Sequence, residues 1–220
     1  MIGVVKKIGS GAAMFVQALL GVALLPATYI ASYQMFAGNP ALLIFLFPLV
    51  FLALMFTSTF VHELGHAFAA ARFRWGVDRF VVWPLVYVPR KKMWSVDLDM
   101  PRGGDLLGWV ETHPVGMGGS RREETWILAG GGIANLLAAS AAMVLAEIFS
   151  VNPVNDVLHS FAVFSIVDAI VNLMPWRVRS RGTDGLRIWQ LWNTPKVRPG
   201  AGPRPGVKGK GSQWNTPRKW

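Results

Sequence analysis

Four apolar stretches limit what this chain can become: residues 11–33, 41–73, 125–149 and 158–174. A helix rises about 1.5 Å per residue, so about 20 residues cross the hydrocarbon core of a bilayer. The first three stretches are long enough, and the fourth is slightly short. Composition agrees. Of the 220 residues, 52% are hydrophobic and only 15% charged, an excess of apolar surface that needs lipid to cover it. The fold expected is an all-α polytopic membrane protein with about four transmembrane helices. Lys6 and Lys7 ahead of the first apolar run also resemble the start of a signal peptide. That run is longer than a usual signal core, however, and Pro26 does not end it.

Charge sets the expected orientation. Residues 74–124 carry eight Lys and Arg, and the segment from Pro175 onward carries eleven against the single acid Asp184. The links between the first and second stretches and between the third and fourth hold almost no charge. By the positive-inside tendency, both termini and the central loop face the cytoplasm, and four crossings satisfy that. The compact size fits a prokaryotic cytoplasmic membrane. Within the loop, "RFVVWPLVYV" (residues 79–88) has the β-branched and aromatic content of a strand, although Pro84 implies an edge or a break. "GWVETH" is a second short strand candidate, so a small β-hairpin-like insertion is expected. The Pro-, Gly- and Lys/Arg-rich end has little to bury and reads as a disordered basic tail. The domains expected are an N-terminal transmembrane helix (1–40), a core of three helices with the loop 74–124 (41–192), and the tail (193–220).

The chemistry concentrates in "TSTFVHELGHAFAAARF", residues 57–73, where His62, Glu63 and His66 form H-E-x-x-H. Residues four apart share one helix face, so both imidazoles can reach one ion, with Glu63 beside them to take a proton from a water there. Three ionisable groups in one turn beside lipid are costly unless they serve a purpose. Catalytic zinc needs a third protein ligand and an open position. The chain has no cysteine, so the candidates are Asp168, inside the fourth stretch, and Asp184, just past it. The second and fourth crossings both run outside to inside, which puts H-E-x-x-H and Asp184 on the same side of the membrane.

At these residues the sequence resembles the site-2 protease family of intramembrane zinc metalloproteases. That family pairs H-E-x-x-H with a late N-x-x-P…D-G element, matched here by Asn172, Pro175, Asp184 and Gly185. "LAGGGIANLL" (residues 128–137) is similar to the family's A-G-P-x-x-N run, with Asn135 at its asparagine. The resemblance implies one zinc per chain held by His62, His66 and Asp184, with Glu63 as general base. It also implies that Asn172 orients substrate or hydrogen-bonds the oxyanion, with Asn135 in a similar role. The substrate implied is a membrane protein cut in or near a transmembrane segment, its unwound chain received as an added strand along residues 79–88. Two departures stand out. Eight residues separate Pro175 from Asp184 where the family often has four, and position 131 is Gly where Pro is common. A reading of another class keeps the fold without the chemistry, as a non-catalytic membrane subunit of a larger complex. The tail could then bind anionic lipid or an acidic partner, with nucleic acid disfavoured.

Overall fold

A computed structural model of the chain describes residues 24–26, 28–30, 33, 40–98, 107–115, 119–149, 154–178 and 181–194. Helix α1 runs over Pro40–Arg72, α2 over Arg121–Ile148 and α3 over Val154–Leu173. Each contains a segment long and apolar enough to cross a membrane: Phe45–Arg72, Arg121–Ile148 and Val154–Leu173. Phe45, Leu49, Leu52 and Phe68 on α1, and Leu137, Val144 and Ile148 on α2, remain exposed, the pattern of faces meant for lipid rather than water. Pro48 sits inside α1, which a membrane helix tolerates. Most of the expected first crossing, residues 11–33, lies outside the described residues, which give helix at 24–26, 28–30 and 33. The tail beyond residue 194 also lies outside them.

Small residues let α1 and α2 touch. A Cβ built on Gly65 collides with the Gly130 carbonyl oxygen and lies 2.6 Å from Ala134 Cβ, so the two backbones meet without side chains between them. The start of α2 is closed by a capping box, Ser120 Oγ accepting from the Glu123 N–H while the Glu123 carboxylate accepts from the Ser120 N–H.

The insertion between α1 and α2 overturns the all-α expectation. It is a four-stranded antiparallel sheet in the order β3-β2-β1-β4, built from β1 (Trp75–Val82), β2 (Leu85–Val88), β3 (Met93–Val96) and β4 (Gly108–Pro114). Residues 79–88 are not one broken strand. Pro84 lies in the turn between β1 and β2, which pair Phe80 with Tyr87 and Val82 with Leu85. On its other side β1 pairs with β4, Phe80 opposite Val110, and so becomes an interior strand. The sheet also contributes to the core. Phe80, Val81 and Val82 are buried, and the Phe80 ring meets Phe60 of α1 edge-on at 5.6 Å. β3 escaped the sequence reading because its four residues are all exposed and carry no alternation of apolar and polar positions.

After α3 the chain forms a two-stranded hairpin, β5 (Arg177–Val178) with β6 (Arg181–Gly182), and then helix α4 (Asp184–Asn193). The C-terminal end of α1, the sheet, the N-terminal end of α2 and the start of α4 therefore gather at one end of the helices.

Candidate metal centre

His62 and His66 occupy successive turns of α1, and both are buried. Their Nε2 atoms lie 3.0 Å apart. Asp184 Oδ2 is 3.2 Å from His62 Nε2 and 3.1 Å from His66 Nε2, so the three atoms form a nearly equilateral triangle. His66 Nδ1 is 2.7 Å from the Ile127 carbonyl of α2. A carbonyl accepts only, so Nδ1 carries the proton, and in a neutral ring Nε2 keeps its lone pair toward the triangle.

Thr183 brings Asp184 into place. As N-cap of α4 its hydroxyl accepts from the Leu186 N–H and also donates to the Met174 carbonyl at the end of α3. The Thr183 N–H bonds the Trp176 carbonyl at 3.2 Å, closing the base of the β5–β6 hairpin. The long spacing between Pro175 and Asp184 is thus taken up by a hairpin that returns to its own start. Gly185 completes the join, since a Cβ there would run into the Leu173 carbonyl.

The cluster fits a metal ion. Tetrahedral zinc with bonds of about 2.0–2.1 Å needs ligand atoms roughly 3.3 Å apart, close to the distances found. Three acceptor atoms this close repel one another unless a proton or a cation lies among them. Burial disfavours the charged form of Asp184, but the His62 and His66 imidazoles against it, once either takes up a second proton, outweigh burial and hold its carboxyl below the usual carboxylate range. Gly131 leaves the room an ion needs: a Cβ there would sit 2.5 Å from His62 Nε2 and 2.6 Å from His66 Nε2.

A pocket of about 290 Å³ opens onto the triangle, lined among others by Glu63, Val110, Asn172 and Arg187. Glu63 is buried beneath β4, and a Cβ on Gly108 would lie 2.8 Å from its Oε1. Asp168 is not in the triangle. Its carboxylate instead accepts from Asn135 Nδ2 at 2.7 Å and from Asn172 Nδ2 at 2.8 Å. Asn135 is fully buried, its Nδ2 also 3.4 Å from His62 Nδ1. Sequence reasoning missed Gly131, Thr183 and the β4 wall of the pocket. Gly131 and β4 matter through residues distant in sequence, whereas Thr183 acts locally, and its one signal was the Thr-Asp pair, a helix-start pattern.

Fold and site define a helical membrane protein carrying a His-His-Asp cluster at metal-binding distance beside a buried glutamate. Comparison with family models, curated proteins and solved structures returns no match.

Proposed function

We propose that the protein is a zinc-dependent intramembrane endopeptidase of site-2 protease type, cutting a membrane protein in or beside a transmembrane segment. The observation that carries this reading is the triangle of His62, His66 and Asp184 with Glu63 beside it, at one end of helices apolar enough for a bilayer. Arg72, Arg90, Lys91 and Arg121 gather at that end, while Glu147 and Asp156 lie near the other, which favours a cytoplasmic-facing site.

His62 Nε2, His66 Nε2 and Asp184 Oδ2 would hold the ion. Zinc held there would supply a water of lowered pKa and a Lewis acid for a carbonyl. Glu63 takes the proton of the attacking water and passes it to the departing amine nitrogen. The backbone of β4 over Glu63 narrows the approach to the carboxylate. Because β1 is paired on both sides, an unwound substrate would add to the free edge of β4, whose residues line the pocket, and not to residues 79–88. The hydrogen bonds of Asn172 to Asp168 favour a positioning role for Asn172 over direct contact with an oxyanion.

Metal content and cleavage of a model transmembrane substrate by the detergent-purified chain test this together. The wild type should hold about one zinc, Asp184→Ala should lose it, and Glu63→Gln should keep it while losing turnover by at least about a hundredfold. Zinc indifferent to Asp184, or a Glu63→Gln variant that cleaves normally, would defeat the reading. Zinc without turnover in the wild type would favour a non-catalytic subunit.

A further inference from the structure

Asp168 is an acid inside an apolar crossing helix, where an ionisable group is expensive and marks function or a specific partner. It is held by donors from all three helices. Ser58 Oγ of α1 donates to its Oδ2 at 3.3 Å, Asn135 Nδ2 of α2 to the same oxygen at 2.7 Å, and Asn172 Nδ2 of α3 to Oδ1 at 2.8 Å. Such a knot could simply fasten the helices, but its location says more. Asp168 Oδ2 lies 3.9 Å from His62 Nδ1, behind the ring whose Nε2 faces the triangle.

A histidine that ligates through Nε2 carries its proton on Nδ1, and that proton needs an acceptor. His66 has the Ile127 carbonyl. Among the described residues, the polar partners recorded at His62 Nδ1 are the Asn135 amide nitrogen, 3.4 Å away, and the Asp168 carboxylate. The amide nitrogen is a donor. It cannot exchange places with its own oxygen, because that would set two acceptors 2.7 Å apart against Asp168. Asn135 Oδ1 accordingly points away and has no hydrogen-bond partner among the described residues. Of the two, only the carboxylate can accept; at 3.9 Å it stands beyond hydrogen-bond distance, and the ring must turn toward it when Nε2 takes the ion.

We infer that Asp168 is a positioning residue for the metal centre: oriented by Ser58, Asn135 and Asn172, its carboxylate holds His62 with Nδ1–H outward and Nε2 toward the ion. This rests on the metal-centre reading above. It also gives Asn135 and Asn172 one shared task, keeping that carboxylate aimed.

The test uses the full chain in detergent, with zinc affinity measured by chelator competition and the His62 Nδ1 proton followed by ¹H–¹⁵N spectroscopy of the zinc-bound protein. Asp168→Asn should weaken zinc binding by about ten- to a hundredfold, the usual cost of losing an outer acceptor, and Asp168→Glu should recover part of it. In the zinc-bound wild type the His62 Nδ1 proton should resonate downfield, as a proton hydrogen-bonded to a carboxylate does, and Asp168→Asn should move it upfield. Asn155→Ala is the control. It removes another polar link between α3 and α2, the Asn155 bond to the Ala146 carbonyl, and should lower stability without touching affinity. Zinc affinity of Asp168→Asn within about threefold of wild type, or a fall matched by Asn155→Ala, would overturn the inference while leaving the metal centre standing. A wild type that binds no zinc would overturn both. Should Asp168→Asn fail to fold, the zinc-bound wild type decides: a His62 Nδ1 proton that exchanges freely with water sinks the proposal, and a downfield, exchange-protected one supports it.

Discussion

Gly131 and Gly65 sit on helices that touch, yet a methyl group would do different damage at each. On Gly131 it would enter the space between two imidazole nitrogens, where the obstruction is side chain and the rings can swing aside. On Gly65 it would meet the Gly130 carbonyl, which cannot move without its helix. Gly131→Ala should therefore fold and lose metal. Overpacking by one methyl costs about 1–3 kcal/mol, or roughly five- to a hundredfold in zinc affinity. Gly65→Ala should instead lower the thermal unfolding temperature of the metal-free protein. Equal zinc affinity in Gly131→Ala and wild type would mean that the ion, if held, sits away from that face. His62, Glu63 and His66 were legible in the sequence because helix periodicity alone places them together. Gly131 was not, because its requirement is imposed by side chains of another helix.

At the scale of elements, the hairpin between α3 and α4 shows how spacing can mislead. Counted along the chain, Asp184 is far from Pro175; in space, Trp176 and Thr183 are bonded across the hairpin base, and the paired strands 177–178 and 181–182 lie beyond it. The placement of the third ligand should then depend on Thr183 and not on the hairpin. Deleting residues 178–181 leaves Arg177 and Gly182 as a two-residue turn between the bonded pair. That variant should bind zinc within about threefold of wild type, because the Trp176 carbonyl and Thr183 N–H then close an ordinary four-residue turn. Thr183→Ala should do worse. It loses an N-cap worth about 1 kcal/mol and the tie to Met174, so Asp184 is no longer held at the triangle. Metal titrations of the two variants side by side check the order, and a deletion that abolishes binding while Thr183→Ala spares it would reverse the argument.

Over the whole molecule, three apolar helices were readable from length and hydropathy, whereas the sheet was underestimated. Strand signals are short, and β1 becomes an interior strand only through pairing with β4, about thirty residues away in the chain, a contact that periodicity cannot reveal. Orientation is the property most open to a direct check. α1 and α2 run antiparallel through the Gly65–Gly130 contact, and the sheet joins their ends beside the metal centre. His66 lies six residues before Arg72, so it sits about 9 Å inside the basic end of α1. The chain has no cysteine, so a single introduced thiol reports its side without background. Lys91 and Val154 are both exposed, the first beside the sheet and the second at the far end, where α3 begins. In intact cells a membrane-impermeant maleimide should label Val154→Cys and spare Lys91→Cys until the membrane is permeabilised. The reverse pattern would put the His62, His66 and Asp184 cluster outside, where the positive-inside tendency does not place eight basic residues, and would overturn the proposed cytoplasmic orientation.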